Sequence, residues 1–299
     1  MTNERPTLRP VTLARLIEVV YLCESTPQSS ESIADAIDVT DRRSRETILE
    51  ACRLSFLREA ASGPQGPMYA STDIGDRFLH FVQSEQWTEV SRILRSQSQH
   101  YDAYLDVVDS NDPKAPEELL EALQASEASS LRTYNQTSID VLCDWAERLG
   151  AVQRNAFTGQ YYMVQNSQQA DDFVRCLVTT YDEFDHTTGL GMRQRYVSIP
   201  LLREHVCERL KWPRDAFDPA LLDLFDENIG RMDLHGTIRD TGAKDARYGI
   251  KTIDLTETDQ LVTTTHTTDR VMLGLEHRGR QFYYLELLDD DLHPMEVEL

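Results

Sequence analysis

The sequence predicts a mainly α chain with small β-hairpins (α+β), built from recurring modules joined by a helical connector. Three observations predict it. Apolar residues recur at helical spacing over most of the 299 residues. Short alternating segments with glycine or asparagine turns follow several of those helices. The order helix, helix, hairpin returns along the chain, whose length suits two or three domains.

Residues 12–24 put Leu13, Leu16, Ile17, Val20 and Tyr21 on one helical face. Pro27 and the serines after it break the chain and cap a short helix over 30–37, with Ile33, Ala34 and Ile37 inward. A turn at 38–40 precedes a longer helix over 41–58, capped by Thr40 or Asp41. The glycines and prolines of 62–67 then read as a loop before an extended 68–72. This order, with Ala34 or Ala36 letting two helices pack closely, resembles the winged-helix variant of the helix-turn-helix. The resemblance covers about residues 8–80, is to a superfamily, and carries no specific motif.

The full expected layout is therefore tandem winged-helix domains joined by a helical connector. Residues 1–80 form the first and 81–114 the connector. The connector's pattern includes Trp87, Val90, Ile93 and Leu94 and then Tyr101, Tyr104, Leu105 and Val108. Residues 115–166 form a second winged-helix-like module, with Pro116 opening a helix, a strong amphipathic helix at 137–149, Gly150 ending it, and a hairpin turning at 155–159. Residues 167–299 form a C-terminal module with a β-hairpin and an acidic tail. Its helices are expected at 168–184, from Ser198 onward, and after Asp218 as cap with Pro219 in the first turn. Its hairpin is expected between 232–238 and 248–255, with two further strands turning at Arg278-Gly279.

The resemblance implies DNA binding, and the composition opposes it. The formal charge is −21, from 51 acidic and 30 basic residues, so bulk electrostatics repel nucleic acid. Only Lys114, Lys211, Lys244 and Lys251 are lysines. An acidic, lysine-poor surface resembles that of proteins from high-salt cytoplasm, where a Debye length of ~3 Å at molar salt screens such charge. There a local arginine cluster outweighs the net charge.

The N-terminal half of a recognition helix reaches phosphates and base edges. Here it reads Asp41-Arg42-Arg43-Ser44-Arg45, suited to phosphate and to guanine. The competing account is a solvated face paired to Asp41 and Glu46. Arg58 is expected to assist at the helix end. Arg154, at the tip of the second hairpin, is a candidate for a minor groove. The stretch from Arg193 through Arg203, Arg209, Lys211, Arg214 and Arg239 to Lys244, Arg247 and Lys251 is the most basic. It reads equally as a second nucleic-acid surface or as a dock for an acidic partner.

The chain is expected to be non-enzymatic, with no cofactor and no metal. Phosphate-loop, dinucleotide, zinc-protease and serine-hydrolase motifs are missing, and Gly189-Leu190-Gly191 lacks a third glycine. Asp182-Glu183-Phe184-Asp185-His186 reads as a solvated helix end. Cys23, Cys52, Cys143, Cys176 and Cys207 have no metal spacing and read as small buried hydrophobes. With no signal-peptide core and no membrane-length apolar run, a cytoplasmic place is expected. Expected partners are DNA and a protein or second copy, without a membrane or a small molecule. Two functions follow: a transcription regulator or DNA-contacting subunit of a DNA-processing or genome-defence complex, or a protein adaptor that uses winged helices without nucleic acid.

Overall fold

The fold is best followed from its helix caps, each a short polar side chain placed before an apolar stripe. The structure, a computed structural model, describes residues 7–63, 66–110, 112–126, 132–165, 170–185, 196–236, 246, 249–256, 261–289 and 292. It is α+β, with helices and small antiparallel sheets. It divides into two units, residues 1–152 with 251–265, and residues 153–250 with 266–299.

The first unit opens with α1 (Leu13–Leu22), β1 (Gln28–Ser29), α2 (Ser30–Ala36) and α3 (Asp41–Arg53), then β2 (Leu57–Gly63) and β3 (Gly66–Ser71). Thr12, Ser29 and Thr40 cap the three helices, each accepting from a backbone N–H three residues on. The strands form one antiparallel sheet in the order β1-β3-β2, with Gln28 opposite Tyr69 and Leu57 opposite Ser71. Two expectations change here. The third helix stops at Arg53, because Ser55 takes a left-handed φ of 60° and turns the chain into β2. The Pro27 segment also supplies a strand, β1, that has no alternating pattern of its own.

Four helices follow: α4 (Asp73–Gln83), α5 (Trp87–Gln97), α6 (Gln99–Asp109) and α7 (Pro116–Ala125). Val90, Ile93, Leu94, Tyr101, Tyr104, Leu105 and Val108 are buried, as their spacing predicts. Then come α8 (Gln136–Arg148), capped by Asn135, and Gly150 at φ 67° just past its end. Thr133 makes a parallel bridge to Thr7, while residues 128–131 lie outside the described residues.

Gly75, one turn into α4, lies against the first module. A Cβ there would collide with the Phe56 carbonyl oxygen and stand 2.6 Å from Ser71 Oγ. Gly→Ala inside a helix normally stabilises by ~1 kcal/mol. Gly75→Ala is expected to do the reverse, destabilising by ~1–3 kcal/mol through overpacking in a thermal melt. A raised melting temperature would refute that close approach.

The second unit holds most of the hairpin β4 (Val152–Arg154) and β5 (Tyr161–Met163), then α9 (Ala170–Asp185), β6 (Val197–Ser198), α10 (Ile199–Leu210), α11 (Arg214–Glu227) and β7 (Met232–His235). The hairpin β8 (Ile250–Leu255) and β9 (Val262–Thr267) belongs mainly with the first unit. The chain closes with α12 (Thr268–Val271), β10 (Leu275–His277), β11 (Arg280–Phe282) and β12 (Tyr284–Leu287). Arg278 and Gly279, at φ 50° and 74°, make the tight turn between β10 and β11 that the sequence predicts. The core packs Phe173 on Trp212, ring centroids 5.4 Å apart, with Phe217 edge-on to Phe173.

The expected third hairpin is wrong. β7 pairs with β12, not with 248–255, and the sheet runs β6-β12-β7. The helix after Asp218 also begins earlier. Pro213 presets φ at −65° before Arg214, so Pro219 lies inside α11. Asp218 accepts both Nε and Nη2 of Arg203 and caps nothing. With these corrections, α9-β6-α10-α11-β7-β12 repeats the order α1-β1-α2-α3-β2-β3, and both sheets run first, third, second strand. Residues 236–283 stand between the last two strands of the second copy.

Cys23, Cys143 and Cys207 are buried, Cys52 and Cys176 half-buried, and all five are free thiols. Burial pushes the Cys23 thiol up to about 12 and the Cys52 thiol to about 11, so both stay protonated and inert. Among the described residues, no helix is long and apolar enough to cross a membrane.

Candidate nucleic-acid interface

α3 is amphipathic, and its two faces do different work. Ser44, Thr47, Ile48 and Ala51 are buried at positions three and four apart. Arg42, Arg45 and Leu49 follow the same spacing on the outward face and are exposed. The turn before the helix holds Asp38 at φ 49°, and Thr40 Oγ1 accepts from Arg43 N, which fixes where the outward face starts.

The arginines differ in how far they are engaged. Arg42 keeps 88% of its side chain exposed and Arg43 52%, and both reach Glu46, at 3.4 and 3.7 Å. Exposed i,i+3 and i,i+4 pairs of this kind contribute at most ~0.5 kcal/mol, so a phosphate can displace them. Arg45 is exposed and makes no ion pair among the described residues. Arg58 is exposed on β2. Glu46 thus partners two of the arginines, and the third faces solvent.

Ser44 and Arg154 do not join that exposed face. Ser44 is buried, and its hydroxyl donates to Ser30 O at 2.9 Å, so it fastens α3 to α2 and cannot face a ligand. Arg154 is 8% exposed; its Nε donates to Gly159 O and its guanidinium lies 5.2 Å from the Tyr161 ring centre. It is a packed residue and not a hairpin tip, because the following Asn155 accepts from Phe157 N and Thr158 N and folds the turn back. Lys244 and Arg247, like Arg193, Arg195 and Arg239, lie outside the described residues.

Most of the described cations in the rest of the basic stretch are engaged by carboxylates. Arg203 is 3% exposed and pairs with Asp218, Arg209 pairs with Glu183, and Arg214 with Glu204. In the first unit, Lys251 pairs with Glu147 at 3.3 Å. Arg203, Arg214 and Lys251 are largely buried staples, while the Arg209–Glu183 pair lies at the surface. The helix at the place of α3 in the second copy, α11, carries Asp215, Asp218, Asp223, Asp226 and Glu227 against Arg214 alone. Its sign is opposite to that of the α3 face.

Two features of the second unit have no local sequence motif. A cavity of about 490 Å³ is lined by Gln153, Arg203, Arg214, Asp218, Arg270 and Glu276, among others. Arg203 and Arg214 already face carboxylates there. Asp233, His235 and Glu286 meet on adjacent strands, although Glu286 is far along the chain from the other two.

No family model and no curated protein matches the chain. Matching solved structures include the magnesium ion-bound SspB crystal structure, 10% identical over 77% of this chain and 79% of that chain, at a TM-score of 0.36. A likeness at that level carries no argument about fold or function.

Proposed function

We propose that residues 8–80 are a winged helix that binds duplex DNA with α3 in the major groove. The whole chain would act as a regulator or as the DNA-contacting subunit of a larger DNA-processing complex. The observation that carries this is the outward face of α3, where Arg42, Arg43 and Arg45 stand at the first turns of a helix whose inner face is locked to α2. The element order and the β1-β3-β2 sheet support it, since that is the arrangement a winged helix requires. The binding is backbone-led: three arginines supply phosphate contacts, and the short wing adds only Arg58.

The acidic α11 favours a division of labour. If the second unit is also a winged helix, its recognition face repels phosphate and suits a basic protein partner. A purely protein-binding adaptor remains the second reading, and that face is what favours it.

The test is a mobility shift with duplex DNA over a series of potassium chloride concentrations. The Arg42→Ala/Arg43→Ala/Arg45→Ala variant should bind about 10–100-fold more weakly at fixed salt. Its dependence of log K on log salt should be shallower by about 2–3, as expected for lost phosphate contacts. Its melting temperature should stay put, because all three side chains are exposed. Identical binding by variant and parent, or no binding by either, leaves only the adaptor reading.

A further inference from the structure

We infer that Asp233, His235 and Glu286 form a binding site for a divalent transition-metal cation in the second unit. The register of β7 and β12 builds it. Glu286 is paired directly with Asp233, and Tyr284 with His235. Side chains alternate along a strand, so Asp233 and His235 share one face of β7, and Glu286 faces them from β12. Met232 and Leu285, on the intervening positions, are fully buried in the core.

One ligand atom from each of the three residues lies within 4.8 Å of the others. His235 Nε2 is 3.0 Å from Glu286 Oε2. Cation–oxygen and cation–nitrogen bonds of ~2.0–2.2 Å place neighbouring donors ~3–4 Å apart, so the three need close in only slightly.

The surroundings of the cluster suit a cation. Directly opposed carboxylates destabilise a sheet, and here one of them, Glu286, keeps only 8% of its side chain exposed. A divalent ion turns that repulsion into attraction. The ring of Tyr196 stands edge-on to His235, centroids 4.6 Å apart, and restrains the imidazole. Asp233 is exposed, so the cluster is open to solvent on that side; it also borders a cavity of about 470 Å³ that His235 and Glu286 do not line. Arg278 and Arg280 line the same cavity, yet neither makes an ion pair with Asp233 among the described residues.

The donor set selects the ion. An imidazole with two carboxylates suits manganese or zinc better than magnesium or calcium, which prefer oxygen alone. Three protein ligands leave positions for water, unlike the closed four-ligand set of a structural zinc.

The experiment is calorimetric titration of the metal-stripped full chain with manganese chloride and zinc chloride. Molar potassium chloride and excess magnesium suppress diffuse binding to the acidic surface. The expected result is one saturable site per chain, weakened at least about tenfold in His235→Gln and in Asp233→Asn. Asp233 is exposed, so Asp233→Asn does not put folding at risk. Bound manganese should also raise the melting temperature of the parent and not of the variants. Absence of a saturable site, or equal affinity in parent and both variants, overturns the inference.

Discussion

Glu204→Ala is expected to destabilise the second unit by ~3–5 kcal/mol, enough to dominate a urea denaturation curve. Glu204 is fully buried on α10. Its carboxylate takes Nε and Nη2 of Arg214, the latter at 2.9 Å, and also accepts from Ala156 N at 2.8 Å. Arg214 in turn donates from Nη2 to Arg154 O and from its own backbone N to Gln153 Oε1. One carboxylate thus joins α10, the start of α11 and the β4–β5 hairpin. Burial alone would lower the guanidinium's pKa, but the adjacent carboxylate more than offsets this and holds it above its ordinary value. The guanidinium is therefore charged at every physiological pH.

Removing one partner leaves a buried, uncompensated cation and an orphaned backbone N–H, and both penalties have the same sign. Glu204→Gln should cost less, because it keeps one acceptor. A Glu204→Met/Arg214→Met double variant should recover part of the loss, since it removes both charges and leaves apolar groups of similar length. If Glu204→Ala unfolded at the parent's urea midpoint, the pair would be an exposed contact and the packing around it would be wrong.

These staples also show where reading the sequence stops. Helices were legible because their signals are local. Thr40, Pro116, Gly150 and the stripes of α5, α6 and α8 all sit within a few residues of what they control. The Arg278-Gly279 turn is local in the same sense, as both residues take the positive φ that a two-residue turn needs. β7 failed because its partner lies beyond residues 236–283, and proximity in sequence pointed to the wrong strand. The cations that turn out to be buried are misread for another reason. Sequence reads an arginine as surface, while Arg203 and Arg214 each meet a carboxylate ten or more residues away and are themselves largely buried. Ser44 was placed with its arginine neighbours, although one residue of helix, about 100° of rotation, carries it to the inner face. The Asp233–His235–Glu286 cluster could be seen only once β7 and β12 were paired.

In the first unit the largest loss is expected from Trp145→Ala, ~3–5 kcal/mol and therefore about 10 °C in melting temperature. Trp145 is fully buried on α8, its ring centroid 6.4 Å from that of Tyr101 on α6. Its indole Nε1 donates to Val11 O at 3.0 Å, immediately before the Thr12 cap of α1. The residue therefore does two jobs: it fills the helical layer, and it holds the entry to the module that carries α3. Alanine leaves a cavity and an unpaired carbonyl. Trp145→Phe keeps most of the volume and loses the hydrogen bond, so about 1–2 kcal/mol is expected. That milder variant separates stability from contact. It should melt earlier than the parent yet bind DNA as tightly below its transition, whereas the α3 arginine variant should melt with the parent and bind weakly. If Trp145→Phe lost DNA affinity as the arginine variant does, the effect would come from a loosened module. The arginine face would then no longer be needed to explain binding.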